Sequence, residues 1–312
     1  MKIAVVGSGL IGQAWAIIFA RGGHDVTLWD GHEEVLAQAP SIIGQLTDEL
    51  AIAGLIEDAA SIKARITTQT NLESALAGAL YVQENLPERV DIKQQIFARL
   101  DEIAPEEVVL ASSTSSIPAS KFTEPLKGRE RCVIAHPVNP PYLVPVVEIC
   151  GAPWTSADTI KKTWDLMAQI GQKPVHVKKE LEGFILNRLQ GALLREAFRL
   201  VEQGYVDVDG LDTTVRDGLG RRWSFMGPFE TIDLNAPEGL ADYAHRFGNM
   251  YQSIATEQTD TSHWSEPLID QLESERRALL PKEQLLARRL WRDQRLMEIA
   301  AQRLQWEKSG KV

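Results

Sequence analysis

His136 and Glu148 are the side chains best suited to chemistry. His136 opens the polar stretch His136-Pro137-Val138-Asn139-Pro140, directly after the apolar run Cys132–Ala135. Glu148 is embedded in Val146-Val147-Glu148-Ile149. A carboxylate in such a run is costly unless paired, and His136 is the obvious partner. Alcohol oxidation needs this combination: imidazole takes the hydroxyl proton as hydride leaves, and the carboxylate orients the ring and stabilises its charged form. A third polar group, Ser112-Ser113-Thr114-Ser115-Ser116, also follows an apolar run. Taken singly, each has a plainer reading: a satisfied core histidine, an edge-strand charge, or turn and cap chemistry. A nucleophilic-serine hydrolase is disfavoured, since the chain carries no G-x-S-x-G elbow.

A second constellation binds rather than reacts. Gly7-Ser8-Gly9-Leu10-Ile11-Gly12 is a G-x-G-x-x-G that follows an apolar strand pattern and opens an apolar helix pattern. In that context Gly7 permits a tight turn, Gly9 lets backbone approach a pyrophosphate, and Gly12 allows close helix–sheet packing. The N–H groups of Leu10 and Ile11 lie where a helix N-terminus attracts phosphate. Asp30 falls at the end of the next strand pattern, about 20 residues on, where an acid accepts hydrogen bonds from a ribose 2′-hydroxyl. Gly31, His32, Glu33 and Glu34 follow it, with no Lys or Arg to receive a 2′-phosphate. The cofactor expected is therefore NAD rather than NADP.

These residues need a frame. Strand patterns occur at Lys2–Val6, Asp25–Trp29, Leu80–Gln83, Val108–Ala111, Cys132–Ala135 and Val144–Ile149, with helical patterns such as Leu10–Arg21 and Val90–Ile103 between them. That alternation predicts an α/β domain with a mostly parallel, doubly wound sheet. The last two strands are too close for a helical crossover and should be antiparallel. Near residue 180 the style changes. Residues 182–203 read as one long amphipathic helix ending at Gly204, and only helical patterns follow. The expected domains are residues 1–180, a Rossmann-like NAD-binding domain, and 181–312, an all-helical one.

Bulk properties narrow the class. The chain has 312 residues with 33 basic against 43 acidic side chains, for a net charge of −10. An acidic chain is a poor partner for nucleic acid, which requires excess Lys and Arg, and a poor match for an anionic membrane surface. No apolar window is long enough to span a bilayer. The opening Met1-Lys2-Ile3-Ala4-Val5-Val6 runs straight into the glycine motif, so it is read as part of the fold rather than a leader. Two cysteines, Cys132 and Cys150, make neither a disulfide framework nor a metal-ligand pattern. A reducing cytoplasm fits, and no metal is expected.

Together these motifs resemble the 3-hydroxyacyl-CoA dehydrogenase superfamily. The resemblance runs through Glu84-Asn85-Leu86-Pro87-Glu88, Ser112–Ser116, His136–Pro140, Glu148, Gly183-Phe184-Ile185-Leu186-Asn187-Arg188-Leu189 and Met226-Gly227-Pro228-Phe229-Glu230. Within it, Ser113-Thr114-Ser115, His136–Tyr142, Leu234-Asn235-Ala236 and Arg288–Asp293 are most similar to the branch that oxidises L-gulonate, and Arg222–Gly227 is shared with L-carnitine dehydrogenases. The resemblance implies that His136 is the general base and Glu148 its partner. It implies that Ser115 and Asn187 meet the reacting region, and that Glu88, Lys93, Ser115 and Asn139 contact the cofactor with Asp30. It also implies a homodimer formed through the helical domain.

One segment departs from the acyl-CoA enzymes. Gly31–Ile62 carries Glu33, Glu34, Asp48, Glu49, Glu57 and Asp58 but no Lys or Arg, which disfavours a polyanionic CoA moiety. A smaller hydroxy acid is expected, L-gulonate first, with Arg188, Arg221 and Arg222 as candidate anchors for its carboxylate. The alternatives are a short-chain 3-hydroxyacyl-CoA or L-carnitine dehydrogenase and, from another class, a non-catalytic NAD-binding structural protein. Retention of Ser115, His136, Glu148 and Asn187 argues against the last.

Overall fold

The computed structural model describes residues 1–310. Its centre is an eight-stranded sheet in the order β3-β2-β1-β4-β5-β6-β7-β8. The strands are β1 (Lys2–Val6), β2 (Asp25–Trp29), β3 (Ile66–Thr68), β4 (Ala79–Glu84), β5 (Val109–Ser112), β6 (Cys132–Pro137), β7 (Val146–Gly151) and β8 (Lys173–Val177). Every neighbouring pair is parallel except β6–β7, which is antiparallel as the short Pro-rich connection requires. Apolar residues of the central strands point to both faces, giving one core around Val5, Phe19 and Ile149 and another around Val6, Phe97 and Ile134. This is the burial on both sides that a parallel sheet demands.

Two edge strands escape the sequence pattern for a physical reason. In β3 neither threonine is buried, and in β8 Pro174 and exposed polar residues break any apolar run. Edge strands are short and polar because their outer backbone groups are unpaired. The strand carrying the histidine also runs further than its apolar core suggests. Pairing with β7 continues through His136↔Glu148 and Pro137↔Val147, so His136 lies within β6 and not after it.

Helix α1 (Leu10–Arg21) follows β1 and α2 (Glu33–Ile52) follows β2; α3 (Val90–Ile103) precedes β5 and α4 (Ala157–Gln169) precedes β8. The long helix expected from residue 182 begins later, as α5 (Leu186–Glu202), because Gly183 (φ 75°) and Phe184 (φ 47°) are left-handed. Left-handed backbone is unusual for a bulky residue, and its use appears below.

By packing, the chain forms two compact units: Met1–Arg188 with Arg289–Val312, and Leu189–Arg288. This differs from a single cut near residue 180 in the place of the last helix, Leu285–Lys308. Met297 of that helix is buried in the core of the first unit. The second unit is entirely helical. Among the described residues, no helix is long and apolar enough to cross a membrane.

Candidate active site

The glycine loop fits a dinucleotide by its backbone. Gly7 has φ +95°, and a Cβ there would lie 3.0 Å from the Asn85 carbonyl. At Gly12 a Cβ would come within 1.8 Å of the Gly7 carbonyl oxygen, whereas at Gly9 it would meet nothing within 4 Å. Gly12 is thus required by the protein's own packing, while the space over Gly9 is open to a ligand. Among the described residues no side chain caps α1, so its first N–H groups, including those of Leu10 and Ile11, remain available to phosphate oxygens.

Asp30 is buried just beyond β2. Its Oδ2 accepts from Ser8 N at 2.7 Å and Ser8 Oγ at 3.1 Å, and its Oδ1 accepts from His32 N at 2.9 Å. The carboxylate therefore braces the glycine loop directly. An ionised carboxylate has about four acceptor positions, so it can still receive a ribose hydroxyl. The residues present suit NAD.

Antiparallel register sets the second part of the site. His136 and Glu148 are directly opposed on β6 and β7, and facing residues of such a pair put their side chains on the same face. His136 Nδ1 lies 2.9 Å from Glu148 Oε2, with both residues buried. Glu148 Oε1 accepts from the N–H groups of Ile185 at 2.8 Å and Leu186 at 3.0 Å. The left-handed turn at Gly183-Phe184 immediately precedes those two amides, and the Phe184 ring packs 5.6 Å from the imidazole. Burial pushes the Glu148 carboxyl up, but hydrogen bonds from His136, Leu186 and Ile185 outweigh it and hold the group below the usual glutamate range. An ionised carboxylate only accepts, so the proton of a neutral ring sits on Nδ1 and the lone pair on Nε2.

The polar run after β5 resolves into separate tasks. Ser112 Oγ donates to Glu84 Oε2 at 2.5 Å, and Ser113 Oγ donates to Asn85 Oδ1 at 2.7 Å. Glu88 Oε1 accepts from Thr114 Oγ1 (2.6 Å), Ser115 N (3.0 Å), Ser116 N (2.9 Å) and Ser116 Oγ (3.0 Å). Burial pushes the Glu88 carboxyl up, yet these donors and Lys93 hold it below the glutamate range. Among the described residues, Ser115 alone of the five leaves its hydroxyl uncommitted. Its peptide is held from both sides, by Glu88 and by Asn187, whose Nδ2 donates to Ser115 O at 2.8 Å.

Other residues singled out by sequence are placed as follows. Lys93 is buried, with its ammonium 3.1 Å from both oxygens of Glu84 and 3.9 Å from Glu88. Asn139 is exposed in the loop that follows β6. Arg188 is exposed, one residue beyond Asn187. Arg221 and Arg222 are exposed on the short helix Gly220–Trp223 of the second unit. Sequence reasoning missed three sets of contacts: Glu84 with Lys93, the amides after Phe184 with Glu148, and the side-chain amide of Gln83 with Ser113 Oγ and Ala135 O. The first was findable, because a carboxylate closing the apolar run Leu80–Gln83 poses the same pairing question as Glu148. The other two depend on backbone direction and tertiary contact.

Comparison with known proteins agrees with this arrangement. The family model "3-hydroxyacyl-CoA dehydrogenase, NAD binding domain" matches residues 2–181, and "3-hydroxyacyl-CoA dehydrogenase, C-terminal domain" matches 183–278. Lambda-crystallin of Oryctolagus cuniculus is 40% identical over 303 residues, covering 96% of this chain and 95% of its own. An L-carnitine dehydrogenase of Streptomyces griseus is 38% identical over 248 residues, covering 79% of this chain and 73% of its own. A similar solved structure is a 5-formyl-3-hydroxy-2-methylpyridine 4-carboxylic acid 5-dehydrogenase, described as an NAD+ dependent dismutase. It has a TM-score of 0.82 and 28% identity over 98% of both chains. Matched over most of its length by both family models, the chain belongs to the 3-hydroxyacyl-CoA dehydrogenase family and is an NAD-dependent hydroxy-acid dehydrogenase.

Proposed function

We propose that this dehydrogenase oxidises the 3-hydroxyl of a small L-3-hydroxy acid, L-gulonate to 3-dehydro-L-gulonate being the first choice, with His136 as general base. The observation that carries the reading is the buried His136–Glu148 pair, joined through Nδ1, with His136 Nε2 making no hydrogen bond among the described residues. When bound, NAD supplies the acceptor for the hydride that leaves the carbinol carbon. His136 Nε2 takes the hydroxyl proton. Glu148, fixed by the Ile185 and Leu186 amides, keeps the ring oriented and stabilises its charge once protonated. The free Ser115 hydroxyl and the Asn187 amide hold the substrate oxygen as it becomes a carbonyl. Glu88 and Lys93 brace the serine loop on the cofactor side, with Lys93 acting through its contacts to Glu84 and Glu88.

Substrate size is argued from charge and likeness. The segment 31–62 that follows Asp30 carries six acidic side chains and no Lys or Arg, and Lys63, the first Lys or Arg after it, is engaged with Asp48 at 2.6 Å. A polyanionic CoA tail finds no welcome there. Lambda-crystallin and its homologues are similar over nearly the whole chain, the branch to which L-gulonate oxidation belongs by resemblance. Arg188 is the favoured carboxylate anchor, because it adjoins Asn187 and makes no ion pair among the described residues.

The second unit exposes Phe225 (61%), Phe229 (74%) and Leu234 (67%). These exposed apolar side chains support reading the helical unit as the one that pairs with a second copy of the chain. Buried, free Cys132 and Cys150 fit a reducing, cytoplasmic setting. Rates of NADH formation on L-gulonate, L-3-hydroxybutyrate, L-carnitine and 3-hydroxybutyryl-CoA, side by side, test the substrate. The reading expects the highest kcat/KM with L-gulonate. A clear preference for L-carnitine or the CoA ester would replace it, and no NADH formation with any of them would remove all four as substrates.

A further inference from the structure

We propose that Gln83, together with Ser113, is a positioning residue: a buried strut that fixes the loop carrying Ser115 relative to the strand carrying His136. The inference rests on the roles given to those two residues above. The β5–β6 ladder runs only to Ser112↔Ile134. Beyond that point the Ser115 loop departs, while β6 continues to His136. Side chains replace the missing ladder. Gln83 Nε2 donates to Ser113 Oγ at 2.7 Å and to Ala135 O, the carbonyl just before His136, at 3.3 Å.

The network around this amide is closed. Ser113 Oγ accepts from Trp15 Nε1 of α1 at 2.9 Å and from Gln83, and donates to Asn85 Oδ1 at 2.7 Å. A hydroxyl has one donor and two acceptor positions, and all three are used. Gln83 Oε1 accepts from Tyr81 OH at 3.3 Å. Indole can only donate and a backbone carbonyl can only accept, which fixes the direction of the bonds. Asn85 carries the strut to the cofactor side, since its backbone packs against Gly7. Gln83 is wholly buried, so it touches no substrate. Its effect passes through Ser113 and Ala135 to the two reacting groups, and small misplacements of such groups slow chemistry markedly.

Gln83→Met, Ser113→Ala and the double variant test the strut, each compared with wild type on whichever substrate of the panel wild type turns over fastest. The readouts are the single-turnover rate of NADH formation, the Kd for NADH and the thermal midpoint. Both single variants should slow the single turnover roughly tenfold while the Kd for NADH stays within about twofold. The double variant should be no slower than the worse single one, because both substitutions break the same connection. A merely structural role would lower the midpoint and leave the single-turnover rate of folded protein unchanged, and that result overturns the proposal. So do effects that multiply in the double variant. Should Gln83→Met fail to fold, Ser113→Ala decides alone, a wild-type rate refuting the strut. A His136→Asn control separates the two claims: if it retains turnover, the base assignment is wrong whatever Gln83 does.

Discussion

His136 and Glu148 face one another across the antiparallel pair β6–β7, Nδ1 to Oε2 at 2.9 Å, and the second oxygen of Glu148 is held by two backbone amides. The carboxylate is thus fixed from two elements at once, the partner strand and the turn at Gly183-Phe184. Glu148 can neither rotate away from the ring nor lose its charge at neutral pH without breaking these bonds. The imidazole inherits one orientation and one tautomer.

Protonating Glu148 should undo that arrangement. Its folded pKa lies below the unfolded value, so the stabilisation is fully present above the unfolded glutamate pKa and is lost as pH falls through the folded one. The difference in thermal midpoint between wild type and Glu148→Gln should be largest near neutrality and shrink below about pH 4. A difference that stays constant across this range would mean that Glu148 is not ionised in the folded protein.

Two serines in one run should behave oppositely. Ser112 Oγ donates to the buried Glu84 and accepts from the Thr114 amide, so removing its hydroxyl leaves that buried N–H unsatisfied while Lys93 still serves Glu84. Ser112→Ala should cost about 1–3 kcal/mol of stability in denaturant titration. Ser115 has no such commitment, so Ser115→Ala should leave stability within about 0.5 kcal/mol and lower kcat by about 10²-fold.

The glycines of the loop should separate folding from binding. Gly12→Ala forces a Cβ onto the Gly7 carbonyl, so it should lower the thermal midpoint and abolish NADH binding together. In Gly9→Ala the added Cβ meets no atom of the described residues within 4 Å beyond its chain neighbours. The variant's midpoint should match wild type while NADH affinity, read by fluorescence titration, falls. Equal affinity for Gly9→Ala and wild type would show that no pyrophosphate approaches there.

Asp30 should set cofactor choice and loop rigidity at once. A hydrogen bond to a charged group is worth about 1.5–3 kcal/mol. Asp30→Ala should therefore weaken NADH by roughly tenfold or more and narrow the preference over NADPH. Unchanged discrimination in competition titrations would remove Asp30 from the specificity argument.

Much of this architecture was legible in the sequence because it rests on local rules. The G-x-G-x-x-G and Asp30 mark a strand–turn–helix whose geometry dictates its residues, and Leu10–Arg21 and Val90–Ile103 are helices with those bounds. The His136–Glu148 pairing was also accessible, because a charge in an apolar strand must have a partner. Residues whose place depends on edges or on backbone direction were not accessible. Neither β3 nor β8 has an apolar pattern to read. Gly183-Phe184 looked like the start of a helix, and only its left-handed turn aims the following amides at Glu148. Gln83 reads as one more polar residue until the loop after β5 folds over it.

The most direct measurement is the turnover of His136→Asn on the best wild-type substrate, taken with its Kd for NADH. General-base catalysis predicts a loss of about 10²–10⁴-fold in kcat with NADH affinity near wild type. A variant that keeps kcat within tenfold of wild type, or loses NADH binding in step with rate, would contradict the assignment of the proton to His136.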